Sequence, residues 1–143
     1  MQKNIKESIR LAEHFQVRSK KPAKFLQAFR AVQHVPEYSD ATYCEGIAVF
    51  VEGDGALEFE HAWIEQNGEI IDPTYPADEL VYFPGLKCDG GLGISKVMRE
   101  RERNDLPLFY GYGFGGNDLP SFRDARKQAA EFCASKRQAA VTA

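Results

Sequence analysis

Three residues near the middle of the chain, in the order Cys44, His61 and Asp72, are of the types that carry out thiol-dependent acyl transfer. A thiol becomes a strong nucleophile when a base takes its proton. A carboxylate behind that base fixes its tautomer and stabilises the charge it gains. The spacing of His61 and Asp72 provides this second contact. Phe59 to Glu65 and Glu69 to Asp72 read as strands flanking Asn67-Gly68, and both turn residues tolerate the positive φ of a type I′ hairpin. A two-residue turn sets Ile64 opposite Ile71 and Trp63 opposite Asp72. Asp72 then lies diagonally across from His61 on one face, where backbones stand roughly 7–8 Å apart and side chains can meet.

The nucleophile is harder to place. A turn at Asp54-Gly55 would set His61 opposite Ala48 and Cys44 opposite Glu65. Cys44 would share the face of His61 but stand roughly 13 Å along it, whereas a nucleophile and its base meet at about 3 Å. A bulge at Gly46 would shorten the gap. Cys44 is therefore read two ways, as the nucleophile or as a small buried residue of a central strand. Glu45 falls on the other face, and a one-residue slip would carry it to His61 and Asp72 as an acid/base or metal-holding group. Its plainer role is a charge at a sheet edge. Cys44, His61 and Cys88 lack the close pairing of ligands typical of zinc sites, so neither a metal nor a cofactor is expected.

The run His61-Ala62-Trp63-Ile64-Glu65, followed by Asp72-Pro73-Thr74, resembles the transglutaminase-like branch of the papain-like thiol enzymes. The resemblance covers about Tyr43 to Thr74. It implies that His61 is the base and Asp72 its orienting carboxylate. It also implies a function as an amide-bond hydrolase or acyl transferase of peptidase, deamidase or transglutaminase type, with Trp63 walling the cleft. One element departs from the pattern. The family's cysteine begins a helix well upstream, where the helix dipole helps lower its pKa, but the helix expected over 23–32 contains neither cysteine nor serine. Tyr43-Cys44-Glu45-Gly46-Ile47 aligns better with the strand that precedes the histidine strand. The alternative function is thus a catalytically inactive or divergent scaffold that binds a protein or peptide partner.

These residues need a frame, and the rest of the chain supplies its outline. Ile5, Ile9, Ala12 and Phe15 repeat at helical spacing. A second helix follows Pro22, with Phe25, Leu26, Ala28, Phe29 and Val32 inward, and Pro36 ends it. Strands are expected at 43–52, 57–66 and 69–72, with Pro73 ending the third and a short strand at 80–83. Asp89 to Gly93 forms a weak anion-nest pattern before a short helix. A last helix spans about 119–137, with Ser121 as its N-cap and Phe122, Ala125, Ala129, Phe132 and Cys133 inward. The class is α+β: a small antiparallel sheet, its central hairpins over about 43–72, packed with N- and C-terminal helices. It forms one domain over 1–137, and 138–143 is expected to fray. Tyr110, Tyr112 and Phe114 in the glycine-rich run 109–116 join Glu45 and Trp63 as candidate substrate- or partner-binding residues.

Composition narrows the partners. A chain of 143 residues can bury a core without cross-links. A net charge of −3 gives no electrostatic basis for nucleic-acid binding. The basic run 96–103 is interrupted by Glu100 and Glu102 and reads as a solvated helix face. No apolar stretch nears the roughly 20 residues of a membrane span. The first residues lack the apolar core of a signal peptide, and three widely spaced cysteines fit a reducing compartment, so a cytoplasmic location is expected.

Overall fold

Asn67 and Gly68 have φ of 54° and 76°, the left-handed pair that a type I′ turn requires. They join strands β3 (Gly55–Gln66) and β4 (Glu69–Ile71) in the expected register, with Ile64 opposite Ile71. The structure, a computed structural model, describes residues 1–16, 28, 30–32, 34–53, 55–75, 80–89 and 120–142. The expected loop 109–116, the nest 90–93 and the basic run 96–103 lie outside these residues.

The class is α+β, as expected, but the sheet is larger than a set of antiparallel hairpins. Its five strands run β1-β4-β3-β2-β5, where β1 is Gln2–Lys3, β2 is Thr42–Glu52 and β5 is Leu80–Asp89. β1 pairs with β4 in parallel, which makes the sheet mixed. A two-residue strand is too short to display alternation, so no pattern announces it. The Asn4 amide extends the pairing by donating to the Ile70 carbonyl at 2.7 Å. Asn4 then caps helix α1 (Ile5–Gln16), its side-chain oxygen accepting from the Glu7 amide at 3.0 Å.

Helix α1 buries Ser8, Leu11, Ala12 and Phe15 and leaves Ile9 exposed, so its inward stripe is rotated from the expected one. Ala28, Arg30, Ala31, Val32 and His34 are helical, and a 3-10 turn follows at Pro36–Tyr38. Leu11, Phe15, Ala28, Ala31, Val32 and Tyr38 pack on Tyr43, Ala62, Ile64 and Ile71. The last helix, α2 (Pro120–Thr142), packs Phe122, Ala125, Ala129 and Cys133 on Ile47 and Val49. Strand side chains alternate between faces, so both helical layers cover the same side of the sheet. His61 and Asp72 point to the other. Pro120, with no amide proton to strand, opens α2 in place of the expected Ser121 cap. The helix includes residues 138–142.

Two registers differ from expectation. Glu52 pairs with Gly55, so the β2–β3 reversal starts at Gly53, whose φ is 56°, and not at Asp54-Gly55. The shift is two residues, which keeps every side chain on its expected face. Strand β5 continues past Phe83 because Pro84 and Gly85 form a bulge, not a loop. Gly46 pairs with Pro84 and Glu45 with Leu86, so Gly85 is the extra residue. The bulge lies beside Gly46 but on the neighbouring strand. A Cβ at Gly46 would stand 2.3 Å from the Phe83 carbonyl oxygen and 2.7 Å from the Gly85 nitrogen. These are backbone atoms that cannot rotate away. Gly46→Ala is expected to lower stability by about 1–3 kcal/mol, measured by urea unfolding. An unchanged midpoint and slope would show that β5 is free to move aside.

Candidate functional site

The hairpin sets His61 and Asp72 on one face, and their side chains meet. His61 Nε2 lies 2.8 Å from Asp72 Oδ2, and both residues are 0% exposed. The carboxylate has three further donors. Tyr82 Oη donates to the same Oδ2 at 2.6 Å, and the amides of Thr74 and Tyr75 donate to Oδ1 at 2.9 and 3.0 Å. An ionised carboxylate offers about four acceptor sites, and here all are used. The Asp72 amide donates to Ser8 Oγ at 2.9 Å, and Ser8 donates in turn to the Asn4 carbonyl. The site is thereby tied to α1, to β5 and to the turn after β4.

Burial alone would raise the Asp72 carboxyl pKa. The His61 charge, the hydrogen bonds from His61 and Tyr82, and the Tyr75 amide outweigh it and hold the pKa below the ordinary 3.8. With Nε2 directed at the carboxylate, Nδ1 is the atom left for other work. It is buried and makes no hydrogen bond among the described residues. Rings enclose the imidazole: Tyr75 at 5.3 Å between centroids, Phe59 at 5.5 Å, Trp63 at 6.1 Å and Tyr82 at 6.3 Å.

Cys44 is nearer to His61 than the expected register implied. It pairs directly with Trp63, while His61 pairs with Gly46. Cys44 and His61 are therefore diagonal neighbours, a separation of roughly 7–8 Å at the backbone instead of roughly 13 Å. The thiol does not engage the base. Cys44 is 0% exposed, packs with Trp63, Ile70 and Tyr82, and its sulfur donates to the Thr42 carbonyl at 3.8 Å. Lys87 pairs with Cys44 across β5 and donates to Glu65 at 2.8 Å. Its pKa is raised, chiefly by the Glu65 hydrogen bond.

Glu45 is corrected on both counts. It is 0% exposed on an inner strand, not an edge charge, and accepts from Tyr43 Oη at 2.6 Å. It lies on the helix-covered side because an even register shift cannot move it to the face of His61. Trp63 stands beside His61, their ring centroids 6.1 Å apart. Tyr110, Tyr112 and Phe114 lie outside the described residues. Among the described residues no cluster of three or more His, Cys, Asp or Glu could hold a metal ion, and no helix is long and apolar enough to cross a membrane. A cavity of about 500 Å³ opens on the face of His61, over Trp63, Ile70 and Tyr82, with Lys3, Glu65 and Lys87 among its lining.

Tyr82, Tyr75 and Ser8 are the site residues that sequence patterning did not single out. The alternation of Leu80 and Tyr82 was visible. Nothing in it indicated that this strand pairs with β2 and aims Tyr82 at Asp72. No family model, curated protein or solved structure matches the chain.

The lowered Asp72 pKa has a definite sign. The unfolded chain binds this proton more readily, so the stabilisation is complete above the unfolded value near 3.8 and is lost as pH falls through the lower folded value. Asp72→Asn should lower stability at pH 7 by about 2–4 kcal/mol. It should also flatten the acid limb below pH 4 when unfolding is followed by circular dichroism. An acid limb identical to that of the wild type would remove Asp72 as its source.

Proposed function

We propose that this chain is a divergent transglutaminase-like protein in which His61, held by Asp72, acts as general base in thiol-dependent amide-bond hydrolysis or acyl transfer. The observation that carries this reading is the buried imidazole whose Nε2 is committed to an ionised carboxylate while Nδ1 makes no hydrogen bond among the described residues. That division of labour is what a base needs. Cys44 is the nucleophile in this reading, since it shares the face of His61 as a diagonal neighbour. Lys87 of β5 pairs with Cys44 across the sheet.

The chemistry balances without a cofactor. The Cys44 proton passes to His61 Nδ1, and the sulfur forms a bond to the substrate carbonyl carbon. Collapse of the tetrahedral intermediate breaks the carbon–nitrogen bond, and the leaving amine takes the proton from His61. Water or a second amine, giving a proton to His61, then attacks the thioester carbonyl. The carbon–sulfur bond breaks to release an acid or a new amide, and Cys44 recovers its proton from His61. A peptide or protein amide is the substrate class. The cavity over Trp63 and Tyr82 lies on the same face of the sheet, but neither Cys44 nor His61 lines it, so Trp63 and Tyr82 stand between it and the reacting atoms. The step requires the Cys44 thiol to leave the Thr42 carbonyl and meet Nδ1.

That same Thr42 contact favours a second reading, in which the His61–Asp72 pair is a buried structural element of a scaffold that binds a protein or peptide and catalyses nothing. The two readings separate in one experiment. Iodoacetamide labelling of Cys44 between pH 6 and 8, compared with Cys88 and Cys133 in the same digest, should be fast at pH 6 in the wild type and slow by at least tenfold in His61→Ala. Slow labelling that His61→Ala leaves unchanged would remove Cys44 as nucleophile and leave the scaffold reading.

A further inference from the structure

We infer that Tyr82 is a positioning residue that sets the proton affinity of His61 through the Asp72 oxygen the two share. The inference rests on the reading of His61 as a base and goes beyond it by assigning a third member to the buried group. Its ground is geometric. Tyr82 Oη and His61 Nε2 stand at 2.6 and 2.8 Å from one atom, Asp72 Oδ2. Two donors on one oxygen compete for its negative charge. Whatever charge Tyr82 draws is withheld from His61, and an imidazole facing a less basic oxygen releases its proton more easily. A buried His–Asp pair left to itself would bind that proton strongly and make a poor base near neutrality.

The fold holds Tyr82 in this role. β5 lies two strands from β3, so the ring must cross β2 to reach Asp72. Tyr82 pairs with Ala48, and the next residue of β2 on this face is Gly46, so only small residues lie in its path. The ring packs on Trp63 at 4.9 Å, with Lys3 Nζ 5.3 Å from its centroid. Tyr82 is also the only partly exposed member of the trio, and it lines the 500 Å³ cavity. Charged and titratable groups on this face include Lys3 on β1, Asp72 and Tyr75 after β4, Glu65 on β3, Cys44 on β2, and Tyr82 and Lys87 on β5; Tyr75 packs its ring on His61 at 5.3 Å. Of these groups, Asp72 alone hydrogen-bonds to His61.

The test is the titration of the histidine side chains by ¹H–¹⁵N NMR, with His14 and His34 as references. Tyr82→Phe keeps the ring and deletes the donor. It should raise the midpoint of His61 by roughly 0.5–1 pH unit and leave His14 and His34 unmoved. Replacing tyrosine with 3-fluorotyrosine, whose phenol donates more strongly, should move His61 the other way. A purely structural Tyr82 would give neither shift. Asp72→Asn in the same series should lower the midpoint. If it does and Tyr82→Phe leaves His61 unmoved or lowers it, the role of Tyr82 is overturned while the His61–Asp72 pair stands. A midpoint unmoved by Asp72→Asn would overturn both.

Discussion

The buried carboxylate of Asp72 is the constraint around which the described structure is arranged. A charge removed from water is tolerated only when each of its acceptor sites meets a donor. Here the donors come from β3, from β5 and from the turn after β4, while the Asp72 amide reaches α1. Moving any of these elements would leave an acceptor exposed to an apolar surrounding. The hydrophobic layers on the far side of the sheet supply most of the burial, but they are not directional. The carboxylate supplies the direction.

Burial of the pair depends on economy of volume in β2. Gly46 lets the β5 backbone approach closely, and Gly85 does the same for the ring of Phe122, which a Cβ there would meet at 2.3 Å. The bulge thus serves both faces at one point. On one side it admits a helix residue into the core, and on the other it leaves a shallow bed between β5 and β3 over which aromatic rings spread. Cys44 belongs to that bed as one of its small residues. Its closeness to His61 follows from the register, whereas its hydrogen bond to Thr42 follows from its own strand.

The pairing of His61 with Asp72 was legible because it depends on local chemistry alone. Asn67-Gly68 admits few turn types, and the turn dictates which side chains share a face. The β2–β3 register was misread by two residues because Glu52, Gly53, Asp54 and Gly55 offer more than one place to reverse, and only long-range packing selects between them. The α2 stripe of Phe122, Ala125, Ala129 and Cys133 was legible from periodicity, since its spacing is nearly that of a regular helix. β1 and the second half of β5 were not. A two-residue strand has no period, and Pro84-Gly85 carries the signature of a loop until a neighbouring strand accepts it as a bulge. Tyr82 and Ser8 were missed for the same reason: each reaches Asp72 from an element whose place in the sheet no local pattern records.

The ends of the sheet carry a consequence for self-association. Open sheet edges invite a strand from another chain, and proteins discourage this with short edge strands, prolines and bulges. One outer strand here, β1, is two residues long. The other, β5, contains a proline that lacks an amide proton and an inserted glycine that breaks the hydrogen-bond repeat. Both outer described strands are thus poor templates for strand addition. Fibre-like stacking is discouraged by the same irregularity that seats Phe122 against the sheet. Strand addition at either described border is thereby made costly, and the imidazole, buried beneath its rings, lies away from both.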